Sequence, residues 1–331
     1  MKAQELVKRA LGSRLLKLAF VVVAVGFGVY YIVEERHKLH VAFDQIGILS
    51  CLWALLALLA MQFAALKVYQ ALLAGLGSPL SLRTSGGILF IGQLGKYVPG
   101  SLWPILAQME LGTRAKVPRA RSASASVLAM LVSLVAGLIT AMVTLPFAEH
   151  SADYYWVFAL LPVVVFCLYP KVLNRLLNKL FAIVKRPGLE QPVTGRMLAR
   201  ALAWAFTAWL FNGLQLFLLA DHFGAPVGRT ILLAVGGYAF AWCVGFVAVF
   251  DPAGAGVREA LIVAALSPVI GPGPALACAL ISRVLNTIAD LVCAGTAALA
   301  WRHQRRTEGK DQAPVPAEAI NPVPSASESN G

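Results

Sequence analysis

Apolar runs about as long as a membrane is thick alternate with short basic connections along this chain. A transmembrane helix needs about 20 mostly apolar residues. The apolar runs cover residues 15–33, 48–66, 84–98, 101–111, 122–147, 156–169, 198–220, 230–250, 257–270 and 275–301. The pattern therefore predicts an all-α, polytopic helical membrane protein.

The amino-acid composition also indicates a membrane protein. Hydrophobic residues make up 59% of the chain and charged residues 13%, with a mean hydropathy of +0.73. Soluble domains contain about 45–50% apolar residues. The net charge of +12 would suit a nucleic-acid partner, but the basic residues flank apolar runs and do not form one surface, so we exclude nucleic acid.

The basic residues also predict an orientation. When the connections are assigned to alternating sides of the membrane at each predicted crossing, 22 of the 28 lysines and arginines fall on one side. Positive charge collects on the cytoplasmic side. We therefore expect a multi-pass protein of a bacterial-type cytoplasmic (inner) membrane, with both termini in the cytoplasm.

The most informative stretch is 92–111, which is too apolar for a loop and too interrupted for one helix. Pro99 and Gly100 must end the helix that carries Lys96, and Ser101 can cap the next one. The two helical pieces, 84–98 and 101–111, would be roughly 22 and 16 Å long, whereas the hydrocarbon core of a membrane is about 30 Å thick. Irregular backbone at that depth is tolerated only inside protein or beside a wet cavity, which indicates a functional site. Gly92 and Gly95 are expected to allow close helix contact.

A second break follows at 251–256. Asp251 suits an N-cap with Pro252 at the first helical position, and the small residues after them let a head group or another backbone approach. Arg258 and Glu259 come shortly afterwards.

Three cations, Lys96, Arg258 and Arg283, fall inside apolar stretches. Intramembrane charges usually face the bundle interior or a water-filled path, and they mark function by default. The spacing of three and four residues places Arg283, Asn286 and Asp290 on one face of the last helix. The alternative is mutual neutralisation, in which the cations pair with Glu110, Asp251, Glu259 and Asp290 and only hold the bundle together.

Counted in two blocks, the apolar runs indicate a duplication. Residues 1–147 and 148–301 hold five runs each, with a Pro/Gly break after the third, so we predict two inverted pseudo-repeats, each with a broken and potentially re-entrant helix pair. Between them, 171–200 is expected to be either an amphipathic, interfacial connection with leucines at helical spacing or, as the favoured alternative, a solvated loop that lies on anionic lipid. Residues 302–331 lose their apolar content and are expected to form a disordered cytoplasmic tail.

Other chemistries lack their motifs. Gly95-Lys96 is followed by Tyr97 where a phosphate-binding loop needs Ser or Thr. The five cysteines and five histidines show no metal-ligand spacing, and no nucleophile motif appears. We expect a protein without cofactors or metals that is not an enzyme.

The two breaks, Gly95-Lys96-Tyr97-Val98-Pro99-Gly100 and Pro252-Ala253-Gly254-Ala255-Gly256-Val257-Arg258-Glu259, resemble the lysylphosphatidylglycerol synthase transmembrane family, also called flippase-like. The resemblance implies the membrane region alone, without an aminoacyl-transferase domain, and movement of an anionic or aminoacylated phospholipid between leaflets. The chain departs from the family pattern at Ala253 and at Gln108, where the family often has Gly and Arg.

The leading hypothesis is translocation of an anionic lipid head group, a phospholipid or a polyprenyl phosphate, through a polar groove between the breaks. Lys96 and Arg258 would neutralise the phosphate, and the new helix starts would offer free N–H groups. The predicted substrate-binding residues are Lys96, Tyr97, Pro99, Gly100, Ser101, Trp103, Gln108, Asp251, Pro252, Gly254, Gly256, Arg258 and Glu259. The predicted coupling or ion-pair residues are Glu110, Arg283, Asn286 and Asp290.

Two other functions stay open from the sequence. One is a non-transporting membrane partner of a glycosyltransferase or lipid-modifying enzyme, docked through 171–200 and the tail. The other is a secondary transporter of a small soluble anion, which predicts a closed aqueous pocket instead of a lateral groove.

Overall fold

The computed structural model describes residues 46–97, 103–149, 169–183, 191–247 and 256–311, together with Pro162 and Phe166. Every regular element in this part of the chain is helical. The α-helices are α1 (Ile48–Gly75), α2 (Leu82–Gln93), α3 (Trp103–Arg114), α4 (Arg119–Glu149), α5 (Pro170–Ile183), α6 (Gly195–Ala220), α7 (Val227–Val247), α8 (Val257–Ile270) and α9 (Pro272–Asp311). Short 3₁₀ turns follow α2 (Leu94–Tyr97) and α6 (Asp221–Phe223).

Five helices are long and apolar enough to cross a membrane: α1, α4, α6, α7 and α9. The prediction of an all-α, multi-pass membrane protein is confirmed. The predicted run at 15–33 and nearly all of the run at 156–169 lie outside the described residues, as do residues 98, 101–102 and 248–250 beside the two breaks. The predicted two-fold inverted repeat stays a prediction.

The core of the bundle forms where α1 packs along α6 and α4 packs along α7. Its largest fully buried side chains include Tyr69, Leu72, Leu128, Leu216 and Tyr238. Small residues bring the helices close: Gly213 of α6 lies against Val235 of α7, and Gly137 of α4 lies against Trp209 of α6. Because lipid tails are as apolar as the helix surfaces, the hydrophobic effect does not bring membrane helices together, and close packing stabilises such bundles instead.

Helices α2 and α3 form an antiparallel pair. Ser81 caps α2 by accepting the Thr84 N–H at 3.2 Å. Gly92 lies against Gln108, and Gly95 lies against the backbone at Trp103 and Pro104, so the helices meet most closely at the break. Each has 12 residues, or about 18 Å, too short to span about 30 Å of hydrocarbon. The expected role of Gly92 and Gly95 in close helix contact is confirmed.

The α2–α3 pair begins and ends at the same end of the bundle. At the start of α4, Arg121 donates to the Gly77 carbonyl at 3.0 Å and to Ser78 Oγ at 3.2 Å, both in the α1–α2 connection. Met197 of α6 packs on Gly75, and Trp301 of α9 packs on Gly87. We call this the basic end, because these helix ends carry Arg83, Arg114, Lys116, Arg119, Arg121, Arg196 and Arg200.

The structure decides between the two interpretations of 171–200. Helix α5 agrees with the amphipathic interpretation, and the solvated loop is wrong for residues 171–183. Helix α6 begins at Gly195, earlier than the predicted 198, because Thr194 accepts the Met197 N–H at 3.3 Å. Helix α9 continues past Arg302, where the disordered tail was predicted to begin, and ends at Asp311. Arg, Gln, Glu and Lys are good helix formers, and cations suit a helix C-terminus. Residues 312–331 lie outside the described residues.

We expect Gly95→Ala to destabilise the α2–α3 pair. A Cβ there would lie 2.7 Å from the Pro104 backbone nitrogen, and backbone cannot rotate away as a side chain can. The free energy of unfolding should fall by about 1–3 kcal/mol. Thermal unfolding in detergent measures the change, with Gly295→Ala as the control, because a Cβ at Gly295 meets nothing within 4 Å. Equal midpoints for the two variants would contradict this account of the contact.

Candidate functional site

The Asp290 carboxylate is the centre of a polar cluster inside the bundle. Its Oδ2 lies 2.6 Å from Lys96 Nζ and accepts a hydrogen bond from the Tyr97 hydroxyl at 2.5 Å. Its Oδ1 accepts a hydrogen bond from Gln62 Nε2 at 2.6 Å. We call Gln62, Lys96, Tyr97 and Asp290 the Asp290 cluster. It joins α1, the 3₁₀ turn after α2, and α9.

The cluster lies deep in the bundle. At 1.5 Å per residue, Asp290 is roughly 17 Å along α9 from Trp301, and Lys96 is roughly 14 Å along its segment from Gly87. Trp301 and Gly87 contact each other at the basic end. These distances are about half the thickness of a 30 Å hydrocarbon layer.

The members of the Asp290 cluster differ in exposure. The Asp290 side chain is 6% exposed and the Lys96 side chain 40%. Tyr97 is buried with Leu94 against Ala294 of α9, and the Lys96 ammonium lies 5.4 Å from the centre of the Tyr97 ring. The carboxylate is thus enclosed, whereas its cation can be approached from one side.

Arg258, at the start of α8, is the second cation of the site. Its guanidinium lies over the Tyr238 ring, 4.6 Å from the centre, and Asn286 Nδ2 donates to the Tyr238 hydroxyl at 3.2 Å. Arg258 is close enough to Asp290 and Tyr97 to interact with both electrostatically. Among the described residues no carboxylate lies within ion-pair distance of it.

The third cation has a different role. Arg283 Nη1 lies 3.0 Å from Glu259 Oε1, and both side chains are largely buried, at 15% and 13% exposed. The other Glu259 oxygen accepts the Gly256 N–H at 2.7 Å and so caps α8. Glu259 therefore ties α8 to α9 and fixes its first turn, which is the mutual neutralisation considered from the sequence.

Two predicted residues on α3 are not placed with the Asp290 cluster. Glu110 contacts Arg119 at 3.1 Å and Arg114 at 4.0 Å, toward the basic end. Gln108 is buried; its Oε1 accepts a hydrogen bond from Ser126, and its carbonyl accepts one from Ser122 at 2.9 Å. Gln108 thus fastens α3 to α4. Trp103 begins α3 beside Gly95.

Six of the predicted substrate-binding residues belong to the two breaks. Pro99, Gly100, Ser101, Asp251, Pro252 and Gly254 all lie outside the described residues. Gly256 is described, with a φ of 94° that favours glycine. The predicted roles of these residues stay predictions.

Sequence reasoning missed Gln62 and Tyr238. Gln62 is a single amide in the apolar stretch of α1, and Tyr238 lies within α7. A polar group in a membrane helix needs a partner, so Gln62 could have been identified from the sequence as a residue that contacts another polar group. The sequence gives no such indication for Tyr238, since a tyrosine in an apolar helix is common.

Comparison with protein families agrees with the resemblance drawn from the two breaks. The family model described as the lysylphosphatidylglycerol synthase TM region matches residues 11–294. A search of curated proteins gives no match. The matched region includes both breaks, the Asp290 cluster and Arg258. The chain therefore belongs to the lysylphosphatidylglycerol synthase transmembrane-region family.

Proposed function

We propose that the protein carries an anionic lipid head group, of a phospholipid or a polyprenyl phosphate, between the two leaflets. The observation that carries the proposal is a partly exposed lysine paired with a buried carboxylate inside the bundle, roughly 14–17 Å from the basic end and beside an interrupted helix pair. A charge at that depth is expensive to keep and is usually retained for function. The proposal is of a carrier and not of an enzyme.

The chemistry of the two cations supports a phosphate ligand. Lys96 offers a compact ammonium on its exposed side, and Arg258 offers a planar guanidinium that suits phosphate oxygens. Asp290 pairs with Lys96 and accepts a hydrogen bond from Tyr97, and Arg258 interacts electrostatically with both Asp290 and Tyr97. The acyl or prenyl chains would remain in the bilayer, so only the head group needs a polar path.

The α2–α3 pair supports a path that opens from one side. Because both of its ends lie at the basic end and its break lies beside Lys96, we infer that it is re-entrant. The basic end would face the cytoplasm of a bacterial inner membrane, following the distribution of Lys and Arg. Head groups would then reach Lys96 past the tip of this pair.

The test is leaflet exchange of labelled phosphatidylglycerol in sealed vesicles that contain the purified protein. Arg258→Gln should slow exchange about tenfold or more, because a hydrogen bond to a charged group contributes about 1.5–3 kcal/mol and each 1.4 kcal/mol is tenfold. The control is Arg196→Gln, since Arg196 is exposed at the start of α6.

Other results would overturn the proposal in distinct ways. Uptake of a small soluble anion without lipid exchange would indicate a secondary transporter. Absence of both activities in folded protein, with stable co-purification of a glycosyltransferase or lipid-modifying enzyme, would indicate a non-transporting partner.

A further inference from the structure

We propose that Asp290 couples head-group movement to one proton. The arriving phosphate replaces the carboxylate as counter-ion of Lys96, and Asp290 then takes up a proton. This inference rests on the proposed function and names the energy source of the same site.

The hydrogen bonds of Asp290 identify the oxygen that takes the proton. Oδ1 accepts from the Gln62 amide, which can only donate through its nitrogen. Oδ2 lies between Lys96 and the Tyr97 hydroxyl. When Lys96 turns to the phosphate, Oδ2 loses its cation. The Tyr97 hydroxyl can rotate and accept a hydrogen bond, so a protonated Oδ2 keeps a partner.

The ionisable groups near Asp290 come from three elements. Lys96 and Tyr97 lie on the 3₁₀ turn after α2, Arg258 lies on α8, and Cys293 lies on α9 itself. Arg258 also interacts with the Glu259–Arg283 pair, but Glu259 is held by Arg283 and by the α8 N-terminus. Of the carboxylates Asp290 and Glu259, Asp290 is therefore the one whose cation is partly exposed.

Asp290 can take up one proton, because it is the one carboxylate of the Asp290 cluster. Once Lys96 pairs with the phosphate, the buried carboxylate has no cation within ion-pair distance among the described residues, and burial disfavours its charged form. Arg258 lies over the Tyr238 ring and carries its positive charge with and without the lipid, so it does not change this count. A phosphodiester and one proton together carry no net charge across the membrane, and no other reactant is needed.

Glu110 is the other carboxylate that the sequence offered for coupling. It is 25% exposed and pairs with Arg119 and Arg114 toward the basic end. No contact links it to Lys96 among the described residues. Glu110→Gln is therefore the matched control, because it removes a carboxylate from the same bundle without touching the Asp290 cluster.

The experiment has two readouts. The first is proton uptake when phosphatidylglycerol is added to the wild-type protein in weakly buffered detergent solution. We expect about one proton per lipid bound, none for Asp290→Asn, and the wild-type value for Glu110→Gln. The second is labelled phosphatidylglycerol in vesicles with a pH gradient. Wild type and Glu110→Gln should accumulate the label in the alkaline-side leaflet, since lipid and proton move together.

The outcomes separate this inference from the proposed function. Exchange that proceeds equally with and without the gradient, with no proton uptake on binding, would overturn the coupling and leave lipid movement intact. No exchange under any condition would overturn the proposed function. Proton uptake that persists in Asp290→Asn would place the coupling group elsewhere. Asn keeps the size of the side chain and can still accept from Gln62, and thermal unfolding verifies that the variant is folded.

Discussion

Lys96→Met is expected to reduce lipid exchange at least about a hundredfold, the largest functional effect in the chain. The methionine matches the length of the lysine stem but brings no charge to a phosphate. The single variant also leaves Asp290 buried without its cation. Breaking a buried pair costs about 3–5 kcal/mol, and the cost here should lie at or below that range because Lys96 is 40% exposed.

A double variant separates loss of transport from loss of fold. Lys96→Met with Asp290→Asn removes both charges together, which is often neutral for stability, and Asn can still accept from Gln62. We expect thermal unfolding close to wild type and exchange as low as in Lys96→Met. Lys67→Met is the control, because Lys67 contacts Phe63 and Gln70 outside the Asp290 cluster. Wild-type exchange in the double variant would show that neither charge handles the lipid.

Arg283→Met should cause the largest loss of stability, about 3–5 kcal/mol, because it leaves Glu259 buried without its ion-pair partner. Native domains have only about 5–15 kcal/mol in total. The yield of folded, monodisperse protein in detergent should fall sharply, and the thermal midpoint should drop by roughly 10 °C.

Adding Glu259→Gln to Arg283→Met should recover most of that loss. The glutamine is neutral, and its oxygen can still accept the Gly256 N–H that caps α8. A double-mutant cycle on the thermal unfolding data gives the coupling between the two side chains. Exchange by the double variant should stay within about threefold of wild type. Strictly additive losses, or a folded double variant without exchange, would contradict a purely structural role.

Much of this fold could be predicted because local signals agree with it. Helix α8 was predicted at 257–270 and is observed at Val257–Ile270, since Gly256 and Gly271 have positive φ on either side of an apolar run. Helix α9 shows the limit of the same reasoning. Its polar extension to Asp311 lacks an apolar pattern but keeps residues that favour helix.

The partners within the site could not be predicted. Three cations and four carboxylates were available, and sequence spacing does not decide between pairings that join distant helices. Lys96 contacts Asp290 and Arg283 contacts Glu259, so the structure separates an approachable pair from an enclosed one. Gln62 was missed because it is uncharged, and an amide in an apolar run is a weaker indication of a functional site than a charged side chain.

The order of synthesis decides when the site can exist. Tyr97 and Asp290 are 193 residues apart, and Gln62 and Asp290 are 228 apart. At about 5–20 residues per second, the ribosome adds Asp290 roughly 10–40 seconds after the turn that carries Lys96. In that interval the lysine is in the nascent bundle without the Asp290 carboxylate. Helix α9 therefore completes the site, and a chain that stops before α9 leaves Lys96 without the Asp290 carboxylate.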